Sequence, residues 1–120
     1  MNSRLSRLAL FGCGNWGSNW LRVLHRLGVL FGAVDPNPST LERVRHSYPG
    51  VRFFYTQRDV RSDPSIDGVV IATPAPTHFE IAKQCLLAGK HVLVEKPLAL
   101  TLARGRELVD LAAQHRRILM

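Results

Sequence analysis

The stretch Leu8-Ala9-Leu10-Phe11-Gly12-Cys13-Gly14-Asn15-Trp16-Gly17 constrains this chain more than any other. An apolar run breaks into glycines and then opens an amphipathic pattern. That order reads as a buried strand, a tight turn and a helix start. The glycines follow the spacing G-x-G-x-x-G. Gly12 permits the turn, Gly14 brings bare backbone up to a phosphate, and Gly17 lets the helix pack close to the strand. The helix would aim its free N–H groups and positive dipole end at the same point. Glycine-rich turns are common, so the meaning of this one depends on what the chain places around it.

Beyond the turn, short β-rich runs alternate with helical patterns, the signature of a parallel sheet with crossover helices. The first strand runs from about Arg7 to Phe11. A helix follows from about Trp16 to Leu27, with Trp16, Trp20, Val23, Leu24 and Leu27 at helical spacing and Gly28 as its stop. A second, nearly all-apolar strand spans 29–34 and ends in Asp35. Asn37 and Pro38 form an N-cap and first-turn pair for a helix over 38–47. A short strand at 51–55 and a polar segment with a helical turn near Asp59 to Arg61 lead to the strongest strand signal, 68–72. Thr77 and Glu80 read as a capping box for a helix over 78–88, which Gly89 ends. A fifth strand at 91–94 closes in Glu95-Lys96-Pro97. The last helix, 102–115, is expected to bury Leu102, Leu108, Val109 and Ala112, and 117–120 begin a sixth strand. The fold class is α/β, a three-layer doubly wound parallel sheet of the Rossmann type with strand order 3-2-1-4-5.

At 120 residues the chain is expected to form one domain. No apolar run approaches the ~18 residues of a membrane span, and the N-terminus lacks the apolar region of a signal peptide. A cytoplasmic protein is expected. Cys13 and Cys85 make no framework or metal spacing, so reduced thiols and no metal are expected. The net charge of +7 raises the question of nucleic acid. The arginines behind it are scattered from Arg4 to Arg117, with no dense basic face interleaved with aromatics, so nucleic acid is not an expected partner. A positive field would instead favour a phosphate-bearing ligand.

In an open parallel sheet, ligands bind beyond the carboxyl ends of the strands, where the strand order reverses. The unusual residues gather at those ends. Asp35 lies 23 residues after Gly12, near the ~20 expected of an acid that accepts from ribose hydroxyls. It would repel a 2′-phosphate, and Pro36 and Asn37 offer no cation to offset that, which favours NAD over NADP. Thr73-Pro74 reads equally as a cofactor-lining segment or an ordinary turn. His78, near the mouth, reads alone as a capping or surface residue. Lys96, at a strand end between Glu95 and Pro97, would bind a substrate hydroxyl and favour its loss of a proton. Trp20 reads as core, and Trp16 as a neighbour of the pyrophosphate.

Taken together, Gly12-Cys13-Gly14-Asn15-Trp16-Gly17, Asp35, Ala72-Thr73-Pro74 with His78, and Ala88-Gly89-Lys90-His91-Val92-Leu93-Val94-Glu95-Lys96-Pro97-Leu98 resemble the Gfo/Idh/MocA family. The Gly-Asn-Trp-Gly-Ser-Asn form of the turn looks most like members acting on nucleotide sugars. The resemblance implies an NAD(P)-dependent oxidoreductase of sugars or cyclitols. It implies that Gly12, Gly14, Asn15, Trp16 and Gly17 cradle the pyrophosphate and that Asp35 holds the ribose. Thr73, Pro74 and His78 would line the cofactor, and Glu95 and Lys96 would reach nicotinamide and substrate, with a cis Lys96–Pro97 bond. Full members continue into a second, mostly β domain that supplies the substrate pocket, the principal acid–base residues and much of a homo-oligomer interface. The chain ends before such a domain, so it is expected to bind nucleotide with little turnover. The rival readings are a dinucleotide-binding sensor or oligomerisation module, and a nucleotide or coenzyme A binding domain.

Overall fold

The computed structural model describes residues 6–120. Five strands, β1 (Leu8–Phe11), β2 (Leu30–Val34), β3 (Arg52–Phe54), β4 (Gly68–Ile71) and β5 (His91–Val94), form one sheet in the order β3-β2-β1-β4-β5. All neighbours pair in parallel. The expected order and parallel pairing are those observed. β1 lies at the centre, with Ala9, Leu10 and Phe11 sealed from solvent.

Alternation along the strands sends side chains to two separate layers. Leu10, Ala33 and Val70 pack with Leu21 and Leu24 of α1 (Asn15–Arg26) and Val44 of α2 (Pro38–Ser47). Ala9, Phe11, Val69, Ile71, Val92 and Val94 pack on the other face. Their partners are Val60 of α3 (Gln57–Ser62), Ile81, Ala82, Cys85 and Leu86 of α4 (His78–Leu87), and Leu108 and Ala112 of α5 (Leu102–Gln114). The residues 117–120 begin a sixth strand only as a single parallel bridge, Val92 to Leu119. Around it the Val92 N–H donates to Ile118, and the Met120 and Val94 N–H groups donate to the carbonyls of Val92 and Met120.

Two helices bury only part of the stripe expected: Leu24 in α1, and Leu108 and Ala112 in α5, are buried as expected, and the other members are not. In α1, Gly17, Leu21 and Leu24 are buried, whereas Trp16, Val23 and Leu27 are exposed and Trp20 is half-buried. The chain carries two stripes at the same spacing, one residue apart around the helix, and the one containing Gly17 faces the sheet. Glycine allows that approach, because a Cβ at Gly17 would fall inside the contact radius of the Gly12 carbonyl oxygen. In α5, Leu108 and Ala112 are buried while Leu102 and Val109 are exposed. Here too a glycine, Gly105, lies on the inner stripe, facing Leu98.

The capping box also fails. Pro74 and Pro76 lead into a single 3₁₀ turn, Ala75–Thr77, ahead of α4. Thr77 is therefore already helical, and its side chain makes no cap. Its hydroxyl donates instead to the Pro74 carbonyl at 2.6 Å and meets the Thr73 hydroxyl at 2.7 Å. The Asn37 cap is as expected, accepting from the Ser39 N–H at 2.9 Å. Gly28 and Gly89 end their helices at φ +76° and +83°. Lys90 is buried and structural. Its ammonium donates to the carbonyls of Asp63 and Ile66 at 2.6 and 2.7 Å, which ties the segment before β4 to the start of β5.

Candidate functional site

The site is built where β1 and β4 end side by side. Gly12 sits at φ +94°, a conformation open to glycine, and a Cβ there would lie 2.7 Å from the Ala72 carbonyl oxygen. The turn thus leans on the end of β4. Gly14 differs, since a Cβ there meets no protein atom within 4 Å. Protein packing explains glycine at 12 and 17 but not at 14, where the bare backbone borders an open cavity. No side chain caps the N-terminus of α1, so its first N–H groups remain available to an anion. These features fit a pyrophosphate.

Asp35 holds this turn from the next strand. Its Oδ2 accepts from the Cys13 N–H and its Oδ1 from the Asn37 N–H, both at 2.8 Å. The carboxylate is therefore fixed at both oxygens, each keeping a second lone pair for a ligand hydroxyl. Cys13, within the same turn, is buried, and burial aided by the charge of Asp35 pushes its thiol pKa up to about 12. It is packing, not a nucleophile.

Gly12, Gly14, Asn15, Trp16, Asp35, Thr73 and Pro74 line a cavity of about 670 Å³. Tyr55 and Gln57, just beyond β3, complete its wall. Sequence reasoning missed these two, although the rule that favours strand ends applies equally to β3. A second cavity, about 410 Å³, shares Trp16, Thr73 and Pro74 and is lined further by His78, Glu95 and Lys96. The two form one cleft along the carboxyl edge of the sheet, with Trp16, 69% exposed, between them. Gly17 lies beneath the turn and lines neither cavity. Trp20, expected in the core, is half-buried and donates its indole N–H to Glu95 Oε1 at 2.6 Å. Lys96 is exposed, in a loop whose Lys96–Pro97 bond is cis.

His78 is neither a cap nor a surface group. It is 1% exposed, with Nδ1 2.8 Å from the Pro97 carbonyl oxygen and Nε2 2.7 Å from that of Thr73. A ring with hydrogens on both nitrogens donates to both carbonyls, and a ring with one hydrogen to one. Either way the imidazole spans the two loops that border the second cavity. Replacing His78 with leucine is expected to cost about 2 kcal/mol, because at least one carbonyl loses the donor of a buried hydrogen bond. Urea unfolding of the variant checks this, and an unchanged midpoint would show that the bridge contributes nothing.

The sheet, the glycine turn and the acid after β2 define a Rossmann-type dinucleotide-binding domain. Residues 6–120 match the Gfo/Idh/MocA oxidoreductase family, NAD-binding Rossmann fold, and the chain belongs to that family. Inositol 2-dehydrogenase of Rhodococcus jostii is 35% identical over 111 residues, which cover 90% of this chain and 30% of that protein. The crystal structure of the WlbA dehydrogenase of Chromobacterium violaceum with NADH and UDP-GlcNAcA matches at a TM-score of 0.90 and 28% identity. That match covers 100% of this chain and 35% of the other. Biliverdin reductase of Synechocystis sp. PCC 6803, with biliverdin and NADP+, matches at a TM-score of 0.87 and 32% identity, covering 94% and 36%. The chain thus spans 22–30% of the length of curated relatives such as the uncharacterised oxidoreductase YdgJ of Escherichia coli and the inositol dehydrogenase. It is an NAD(P)-binding Rossmann domain of that family. Among the described residues no helix is long and apolar enough to cross a membrane, and no His, Cys, Asp and Glu cluster suits a metal ion.

Proposed function

We propose that this chain binds NAD in preference to NADP and serves hydride transfer between the nicotinamide and a hydroxyl of a sugar, nucleotide sugar or cyclitol. The observation that carries the reading is the single cleft in which the glycine turn and Asp35 stand at one end and Glu95 and Lys96 at the other. In this reading the backbone of Gly12 to Trp16 receives the pyrophosphate, Gly17 lets the helix pack beneath it, and Asp35 accepts from the adenosine ribose. Thr73 and Pro74 line the middle of the cleft, and His78 holds that wall in place from behind. Bound nicotinamide supplies the hydride acceptor or donor. Lys96 lies at the far end, where its ammonium hydrogen-bonds a substrate oxygen and eases loss of the hydroxyl proton. The sugar-like substrate is supported by the inositol and UDP-GlcNAcA in the names of two relatives. Residues 6–120 form the dinucleotide domain in this reading. With Lys96 as the one lysine or arginine lining the cleft among the described residues, the chain alone is expected to turn over little.

Titration with NADH, read by tryptophan fluorescence, tests the reading. The expected result is a saturable change that shrinks in Trp16→Phe, with NADPH binding at least about tenfold more weakly. No saturable change with either nucleotide would overturn the dinucleotide assignment. Equal affinity for both would overturn the preference for NAD.

A further inference from the structure

Trp20 and Glu95 meet although 75 residues separate them. The indole N–H only donates and an ionised carboxylate only accepts, so the roles cannot be exchanged. The bond is short, 2.6 Å from the indole nitrogen to Oε1. Trp20 lies on the outer stripe of α1, in an apolar groove with Leu8, Leu24, Val70 and Leu93. Glu95, at the other end of the bond, lines the second cavity beside Lys96. The Glu95 main chain is already fixed, since its N–H donates to the Ile71 carbonyl at 3.0 Å. The indole restrains what remains, the side-chain torsions. Among the described residues no other side chain bonds the Glu95 carboxylate.

We propose that Trp20 is a positioning residue for the Glu95–Lys96 end of the cleft. It holds the Glu95 carboxylate so that its remaining lone pairs accept from ligand hydroxyls at that end, away from Asp35. One helix would then serve both halves of the ligand, through its first-turn N–H groups and, one turn later, through Trp20. The inference rests on the dinucleotide reading, and it adds a residue that this reading does not use.

Calorimetric titration of the 120-residue chain with NADH and, separately, with ADP tests it. ADP carries the adenosine ribose and two phosphates but nothing that reaches Glu95. Trp20→Phe is expected to raise the Kd for NADH about fivefold, by releasing the Glu95 torsions, while the Kd for ADP stays within about twofold. In Glu95→Ala, which leaves the indole no acceptor, the further change Trp20→Phe is expected to add little, because the pair acts as a unit. A structural role alone would move both ligands together, and that outcome overturns the proposal, as does an unchanged NADH Kd. Failure of the parent chain to bind either ligand overturns the dinucleotide reading, and the proposal with it. Should Trp20→Phe not fold, Glu95→Ala in the Trp20 background provides the second measurement. It is expected to move one of the two indole N–H resonances in a proton–nitrogen spectrum and to weaken NADH but not ADP. Indole resonances that stay in place, or equal weakening of the two ligands, would overturn the proposal.

Discussion

Replacing Gly17 with alanine is expected to lower the thermal midpoint by about 12 °C, the shift that about 3 kcal/mol produces in a domain of this size. The added Cβ would fall on the Gly12 carbonyl oxygen. The Cβ position is set by the backbone and the oxygen it meets is backbone, so no rotamer change relieves the overlap, and α1 must move away from the turn. Gly14→Ala is the matched comparison, because its Cβ meets no protein atom within 4 Å. Its midpoint is expected to change by no more than about 2 °C, while NADH affinity falls at least about tenfold as the methyl group enters ligand space. Melting curves and calorimetry on the two variants check this. Similar destabilisation of both would mean that the turn is constrained by something other than the Gly12–Gly17 contact.

Asp35→Ala is expected to act on ligand and fold at once. Loss of a charged acceptor for the ribose hydroxyls should weaken NADH at least about tenfold. The N–H groups of Cys13 and Asn37 lose their acceptor in the same step, which should cost about 2 kcal/mol of stability. NADPH is not expected to bind better than it does to the parent, because removing the carboxylate loosens the turn that receives the phosphates. Urea unfolding and parallel titrations with both nucleotides measure the two effects. Unchanged NADH affinity would remove the ribose assignment. Unchanged stability would show that water replaces the carboxylate at both N–H groups.

Local chemistry was legible in the sequence wherever a residue type answers to its immediate neighbours. Gly28 and Gly89 end helices, Asn37 caps one, and the apolar run at Val69 to Ile71 forms an inner strand. Which face of a helix turns inward is harder, because α1 offers two apolar stripes of equal spacing. The expected set, Trp16, Trp20, Val23, Leu24 and Leu27, mixed the two, and only Leu24 belongs to the buried one. The usable signal was Gly17, since the glycine that permits close approach must itself lie on the approaching stripe. Gly105 would have served the same way for α5. The Thr77 box failed because two prolines set the backbone before the side chain had a choice.

At the site, the segments that carry the family resemblance were legible, because strand ends and the sheet rule place them together. Their contacts with one another were not. Asp35 reads as a ligand for ribose, and nothing in the residues nearby shows that it also latches the preceding turn. His78 reads as a cap until the fold brings Pro97 to its other side. Trp20 reads as core because the partner of its N–H stands 75 residues away.

The His78 bridge also bears on the thermodynamics of occupancy. Thr73 and Pro97 belong to loops that follow different strands, and loops of that kind ordinarily lose conformational freedom when a ligand orders them. Here the imidazole fixes their separation in the free protein. Much of the entropy loss that would otherwise oppose association has therefore already occurred during folding. On the side of β4 and β5 the two loops are thus tied to each other through His78 before any ligand arrives.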